Sequence, residues 1–139
     1  METATLRPAA AASLARWHAM LEARDLAGLP AISHADVVFR SPAVHAPYRS
    51  AAMLQKIIGA AIQVFEDFAY HRQFVTGDGN SVVLEFSARI GDRDLKGIDM
   101  IRFDEAGRIV EFEVMVRPMS GLQALALAMA AKLGVPARG

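Results

Sequence analysis

Between Pro8 and Asp25 apolar side chains return at Leu14, Trp17 and Leu21, with Met20 just off the stripe. That is the rhythm of a helix with one apolar face. A second, short helix is predicted over 26–33, interrupted by Gly28 and Pro30. Val37, Val38 and Phe39 then read as a strand that Pro42 stops, because proline has no N–H to give a ladder. Ser50 is a capping type, and after it Leu54, Ile57, Ile58, Ala61, Ile62 and Phe65 keep helical spacing for three turns. Past Asp67 the period drops to two. The runs 68–76, 81–90, 95–103 and 108–117 read as strands, separated by the Gly/Asp/Asn-rich turns at 77–80, 91–94 and 104–107. Pro118 ends the last strand, and Ser120 is predicted to cap a closing Ala/Leu-rich helix.

Alternation sorts the strand faces. Val110, Phe112, Val114 and Val116 fall on one side of the last strand; Ile109, Glu111, Glu113, Met115 and Arg117 fall on the other. Leu95, Gly97, Asp99, Ile101 and Phe103 share a face, as do Val82, Leu84, Phe86, Ala88 and Ile90. Helices followed by a meander of long strands predict an α+β domain, its curved antiparallel sheet wrapped around the N-terminal helices. Asp99 is the anomaly, a carboxylate on an otherwise apolar strand face. Ionised there it carries a desolvation penalty, so it must be paired, hydrogen-bonded or protonated.

Composition narrows the function classes. The chain has 139 residues, enough for one domain with a sizeable core, and no repeat or linker divides it. Its 15 basic residues balance 15 acidic ones, which argues against a nucleic-acid footprint. With no cysteine there is no disulfide framework, thiolate metal site or cysteine nucleophile. The most apolar run, 121–134, is too short to span a membrane and contains Lys132. A cytoplasmic protein with no membrane association is the expectation.

The stretches Trp17, Asp36-Val-Val-Phe-Arg-Ser-Pro42 and Gly97-Ile-Asp-Met-Ile-Arg-Phe-Asp-Glu-Ala-Gly-Arg-Ile109 resemble the nuclear transport factor 2-like superfamily. Within it they are most similar to the SnoaL-like polyketide cyclase and ketosteroid isomerase branches. The resemblance implies a cone-shaped α+β barrel over residues 9–118, a pocket at its open end, and a homodimer through the outer sheet face. Residues 1–8 then read as a loose N-terminus and 119–139 as an extra C-terminal helix and tail. Asp99 matches the isomerase's oxyanion-hole aspartic acid. The isomerase's general base falls on Ser41, a hydroxyl too weakly basic to take a carbon-bound proton unaided near neutrality. Its oxyanion tyrosine falls on Trp17, which donates through nitrogen alone, and its supporting tyrosine falls on Ile58. The scaffold carries over; the isomerase's catalytic set does not.

Two catalytic candidates emerge. Asp99 is the acid or oxyanion donor, paired with Trp17; the plainer reading is a structural acid satisfied by the Trp17 N–H, an arginine or a backbone donor. His45, in the loop 43–48, is the candidate base because histidine titrates near neutrality; the plainer reading is a solvated loop residue. Tyr48 beside it offers a hydroxyl. The expected ligand-binding set is Trp17, Leu21, Phe39, Ser41, Tyr48, Leu54, Ile58, Phe86, Phe112, Val114 and Val116. His18 reads as a partly buried structural residue and His34 as surface, while the face of His71 is open. No two of the four histidines stand four apart or beside a suitable acid, so no metal site is expected, and the chemistry is expected to need no cofactor.

Glu85, Ser87, Arg89, Met100, Arg102, Glu111, Glu113, Met115 and Arg117 form the outer sheet face, either a dimer interface or a solvated surface. On the terminal helix Leu122, Leu125, Met129 and Leu133 make one stripe, which either lids the pocket or meets a partner subunit. The functional expectation is a pocket for a small, mostly hydrophobic molecule, with cofactor-independent isomerase-, cyclase- or hydratase-like chemistry. The alternatives are a non-catalytic binding module and a dimeric interaction scaffold. An epoxide-hydrolase arrangement of two acids and an arginine lacks its second inward acid here.

Overall fold

Pro8 opens helix α1 (Pro8–Ala23), in the first turn, where a missing N–H leaves no helical bond unmade. This computed structural model describes residues 5–134. A single 3-10 turn, Leu29–Ile32, takes the place of the expected short helix and leads into β1 (Ser33–Arg40). A two-residue strand β2 (Tyr48–Arg49) precedes α2 (Ala51–Val64), which Ser50 caps by accepting the Met53 N–H at 3.0 Å. Four long strands follow: β3 (Glu66–Val75), β4 (Ser81–Ile90), β5 (Arg93–Phe103) and β6 (Ile109–Arg117). Helix α3 (Met119–Leu133) closes the described chain. Its N-cap is Pro118, with no side-chain cap, so Ser120 lies inside the first turn instead of capping it.

The strands form one six-stranded sheet in the order β2-β1-β6-β5-β4-β3. β3 to β6 are the predicted antiparallel meander, but β1 runs parallel to β6. The sheet is therefore mixed, and with β2 and β3 as its edges it is curved but not closed, an α+β cone. Turn chemistry reports only on hairpins between successive strands. The pairing of β1 with β6 spans most of the chain and leaves no local signal.

One face assignment changes. The ladder between β5 and β6 slips where Arg102 pairs with Glu111 while Phe103 pairs with Ile109. Val110 is the extra residue, and Ile109 is turned fully inward instead of outward. Beyond the slip the alternation holds, with Phe112 and Val114 buried and Met115 exposed. α1 and α2 pack on the concave face around Leu14, Trp17, Leu54, Phe86, Ile101 and Phe112. α3 packs on α2, β4, β5 and β6 of its own chain. Of the segment expected to be loose, residues 1–4 lie outside the described residues, and Arg7 is tied down, its N–H donating to the Gly79 carbonyl at 2.9 Å. The tail after Gly134 also lies outside them. Among the described residues no helix is long and apolar enough to cross a membrane.

Candidate functional site

The helices and the concave sheet face enclose a cavity of about 470 Å³. That is within the range of small-molecule sites. Trp17 and Leu21 of α1, Ile58 of α2, Phe86 and Asp99 of the sheet, and Phe112 and Val114 of β6 line it, with Phe39, Ser41 and Tyr48 near the β1–β2 connection. Eight of the chain's ten aromatic side chains face this space. The wall is packed ring on ring: Phe68 stacks on Phe86 at 5.1 Å and meets Tyr70 edge-on at 5.0 Å, while Tyr48 stacks on Phe39 at 6.1 Å.

A hydrogen-bonded line crosses this apolar wall. The Trp17 Nε1–H donates to the Tyr70 hydroxyl at 3.1 Å, and that hydroxyl donates to Asp99 Oδ2 at 2.5 Å. Tyr70 lies on β3 opposite Phe86, which lies opposite Gly97, so three adjacent strands bring the phenol and the carboxyl together. Asp99 is 6% exposed, and burial pushes its pKa up to about 7 even though the bond from Tyr70 favours the ionised form. Burial first, and then the neighbouring Asp99, hold the Tyr70 phenol well above its ordinary range. The phenol thus stays neutral while the carboxyl exchanges its proton near neutrality.

The other carboxyl oxygen is the available one. Among the described residues Oδ1 of Asp99 takes no hydrogen bond, yet no fully buried side-chain polar atom lacks a partner. Oδ1 therefore opens on the cavity that Asp99 lines. Protonated, it presents an O–H to a ligand oxygen; ionised, it accepts from a ligand donor.

Most of the residues expected at the site line this cavity, and three lie elsewhere. Leu54 is wholly buried in the core behind the cavity. Val116 and His45 line a neighbouring groove with Arg40, Glu113 and Met115, and His45 is exposed there, outside the cavity lining. Two residues beyond Val114, the strand has passed the cavity, and the 41–45 segment turns only Ser41 to Val44 towards it. Ser41 lines the cavity, but its hydroxyl accepts the Val44 N–H at 3.2 Å. Trp17 reaches Asp99 only through Tyr70.

Tyr70 was missed as a site residue, as were Phe65, Phe68 and the inward face of α3. Phe68 and Tyr70, two residues apart on one strand, share a face, but the sequence does not say which face that is. His18 stands edge-on to Tyr70 at 5.4 Å, its pKa lowered by burial. His34 is the second residue of β1, its Nδ1 accepting the Asp36 N–H at 3.0 Å, and His71 bonds Ser87 at 2.7 Å. On the same outer face the Glu85 side chain, 8% exposed, is clamped by Arg72 at 2.6 Å and Lys96 at 3.1 Å. The hydrogen bonds from these two cations pull its pKa down to about 2.

The family model described as a SnoaL-like domain matches residues 14–112, most of the chain. The chain belongs to the SnoaL-like domain family. Among solved structures this SnoaL-like chain is similar to a steroid delta-isomerase from Pseudomonas aeruginosa, at 60% identity and TM-score 0.93, covering 95% of this chain and 96% of that one. It is also similar to an uncharacterized protein with a cystatin-like fold from Silicibacter pomeroyi DSS-3, at 32% identity and TM-score 0.81, covering 91% and 88%. A putative SnoaL-like polyketide cyclase from Jannaschia sp. CCS1 shares the fold alone, with 7% identity, TM-score 0.71 and coverage of 90% and 96%. A search of curated proteins finds no match to this SnoaL-like chain.

Proposed function

We propose that this protein binds a small, uncharged, mostly hydrophobic molecule carrying one oxygen, and performs cofactor-independent proton-transfer chemistry on it. Asp99 is the acid or oxyanion donor. The observation that carries this reading is Oδ1 of Asp99, open to an aromatic cavity and titrating near neutrality. A carboxyl poised near the working pH is suited to general acid–base catalysis. Among the described residues the cavity lining contains no Lys, Arg or His, which disfavours an anionic ligand. The similar protein from Pseudomonas aeruginosa is named a steroid delta-isomerase, which supports a cyclic ketone as the first class to test. Tyr70 orients the carboxyl through Oδ2 and Trp17 orients Tyr70, leaving Oδ1 to meet the ligand.

Incubation with cyclic ketones and steroid enones in D2O, followed by mass spectrometry, tests the chemistry. With the Asp99 O–H donating to the carbonyl oxygen and Asp99 the lone carboxyl of the described lining, the proton leaves the adjacent carbon to a solvent water, so deuterium enters that carbon faster in wild type than in Asp99→Asn. Absence of enzyme-dependent exchange from every ketone that raises the melting temperature would sink it. A non-catalytic carrier is the second reading. It is favoured by Ser41 standing where a base would be, and by Asp99 as the lone carboxyl in the described lining. Under that reading ketones stabilise the fold without exchange.

The outer sheet face is proposed as the contact with a second copy. It sets exposed Met115 and half-buried Met100 beside the ion pair of Arg102 with Glu111. Sedimentation tests this: a dimer in wild type that Met115→Glu converts to single chains supports the contact, and a wild-type monomer removes it.

A further inference from the structure

Helix α3 forms a wall of the cavity, and two of the side chains it turns inward are alanines. Leu125, Ala126, Met129, Ala130 and Leu133 all line the space. Their spacing puts them on one side of the helix, in two adjacent rows. The wall is pinned at its start. A Cβ on Gly121 would come within 2.8 Å of the Leu95 Cβ and 3.0 Å of the Asp94 carbonyl oxygen, so the first turn of α3 lies backbone-close on β5. That seat fixes the start of the helix, and α3 also packs on α2, β4 and β6, so the wall is held in place along its length. Ala126 and Ala130, one turn apart, are the smallest side chains on this face, and anything larger there projects into the ligand's space. Met129 on the same wall is unbranched and flexible, and so able to adapt. The residues matched by the family end at Phe112, so this wall lies outside the matched part.

We infer that Ala126 and Ala130 of α3 are specificity-determining residues that set the largest molecule the cavity accepts. The inference rests on the reading that the cavity takes an apolar molecule, but it does not need Asp99. It sharpens the expected substrate class from apolar molecules at large to those whose far end fits against two alanines.

A length series of alkylbenzenes, from benzene to hexylbenzene, probes the cavity without an oxygen for Asp99 to hold. Binding is measured by calorimetry. Ala126→Leu and Ala130→Leu weaken the longest alkylbenzene that binds wild type by about tenfold or more, the scale of overpacking, while benzene changes by no more than about twofold. Met129→Ala, which only removes atoms, moves the limit to a longer chain and keeps the test open if a leucine variant fails to fold. The same length limit in all variants overturns the inference, as does wild type that binds no alkylbenzene. Ketone binding that ignores Asp99→Asn, alongside a length limit that moves with α3, overturns the role given to Asp99 and leaves this inference standing.

Discussion

Asp99 is held at one oxygen of its carboxyl and open at the other, and the two oxygens have different tasks. Oδ2 takes the Tyr70 proton, while Oδ1 faces the cavity. Because the Tyr70 bond lowers a pKa that burial raises, Tyr70→Phe is expected to move the Asp99 titration further above 7. Carbon-13 NMR of the labelled carboxyl reads that shift, and an unmoved titration would mean the bond is not made in solution. The same substitution strands the Trp17 N–H, which donates to the lost hydroxyl, at a cost of about 1–3 kcal/mol in denaturant titration. The acid of this pair was legible in the sequence because a lone carboxylate breaks an apolar alternation. Its partner was not. β3 slips register against β4 both before Ala69 and after Tyr70, so strand period alone could not say which side Tyr70 or His71 takes.

At the scale of elements, the meander was readable because hairpin turns announce themselves locally, and α2 because its cap and its stripe agree. Ser50→Ala is expected to cost about 1 kcal/mol through the lost bond to Met53, seen as a lower melting temperature. What stayed hidden was how elements meet. The parallel seam of β1 with β6 and the seat of α3 against its own sheet are both long-range. Gly97 is a residue where such a meeting demands a particular side chain. A Cβ there would meet the Met115 carbonyl oxygen on β6 and lie 2.6 Å from the Phe86 ring. The carbonyl belongs to the ladder and cannot yield, so the ring must, and it is stacked on Phe68 in the cavity wall. Gly97→Ala is therefore expected to cost about 1–3 kcal/mol, and to weaken ligand binding along with stability. A variant that melts like wild type and binds like it would show that the sheet relaxes more readily than this packing allows.

For the whole molecule, the buried acid makes stability fall as pH rises, opposite to the usual carboxylate. The folded pKa of Asp99, about 7, lies above its ordinary 3.8, so between these values the folded chain holds a proton that the unfolded chain has released. Stability from this group is complete below about pH 4 and is lost as pH climbs through 7, a difference of about 4 kcal/mol. Other groups run against it, the carboxyls of Asp78 and Asp104 among them, both held below their ordinary range. Glu85, pulled down to about 2 by Arg72 and Lys96, adds stability above pH 4.5 that disappears as pH falls through 2. His18, its pKa lowered by burial, weakens the fold as pH falls below the ordinary histidine value of 6.5. The raw pH profile therefore mixes several slopes, and the difference between wild type and Asp99→Asn isolates one. Asparagine still accepts the Tyr70 hydroxyl but cannot ionise. Urea titrations should find the variant more stable than wild type at pH 8, with the gap closing steadily towards pH 4. A gap that does not change across that range would mean Asp99 ionises freely in the fold, and the cavity would then be wetter than its aromatic wall implies.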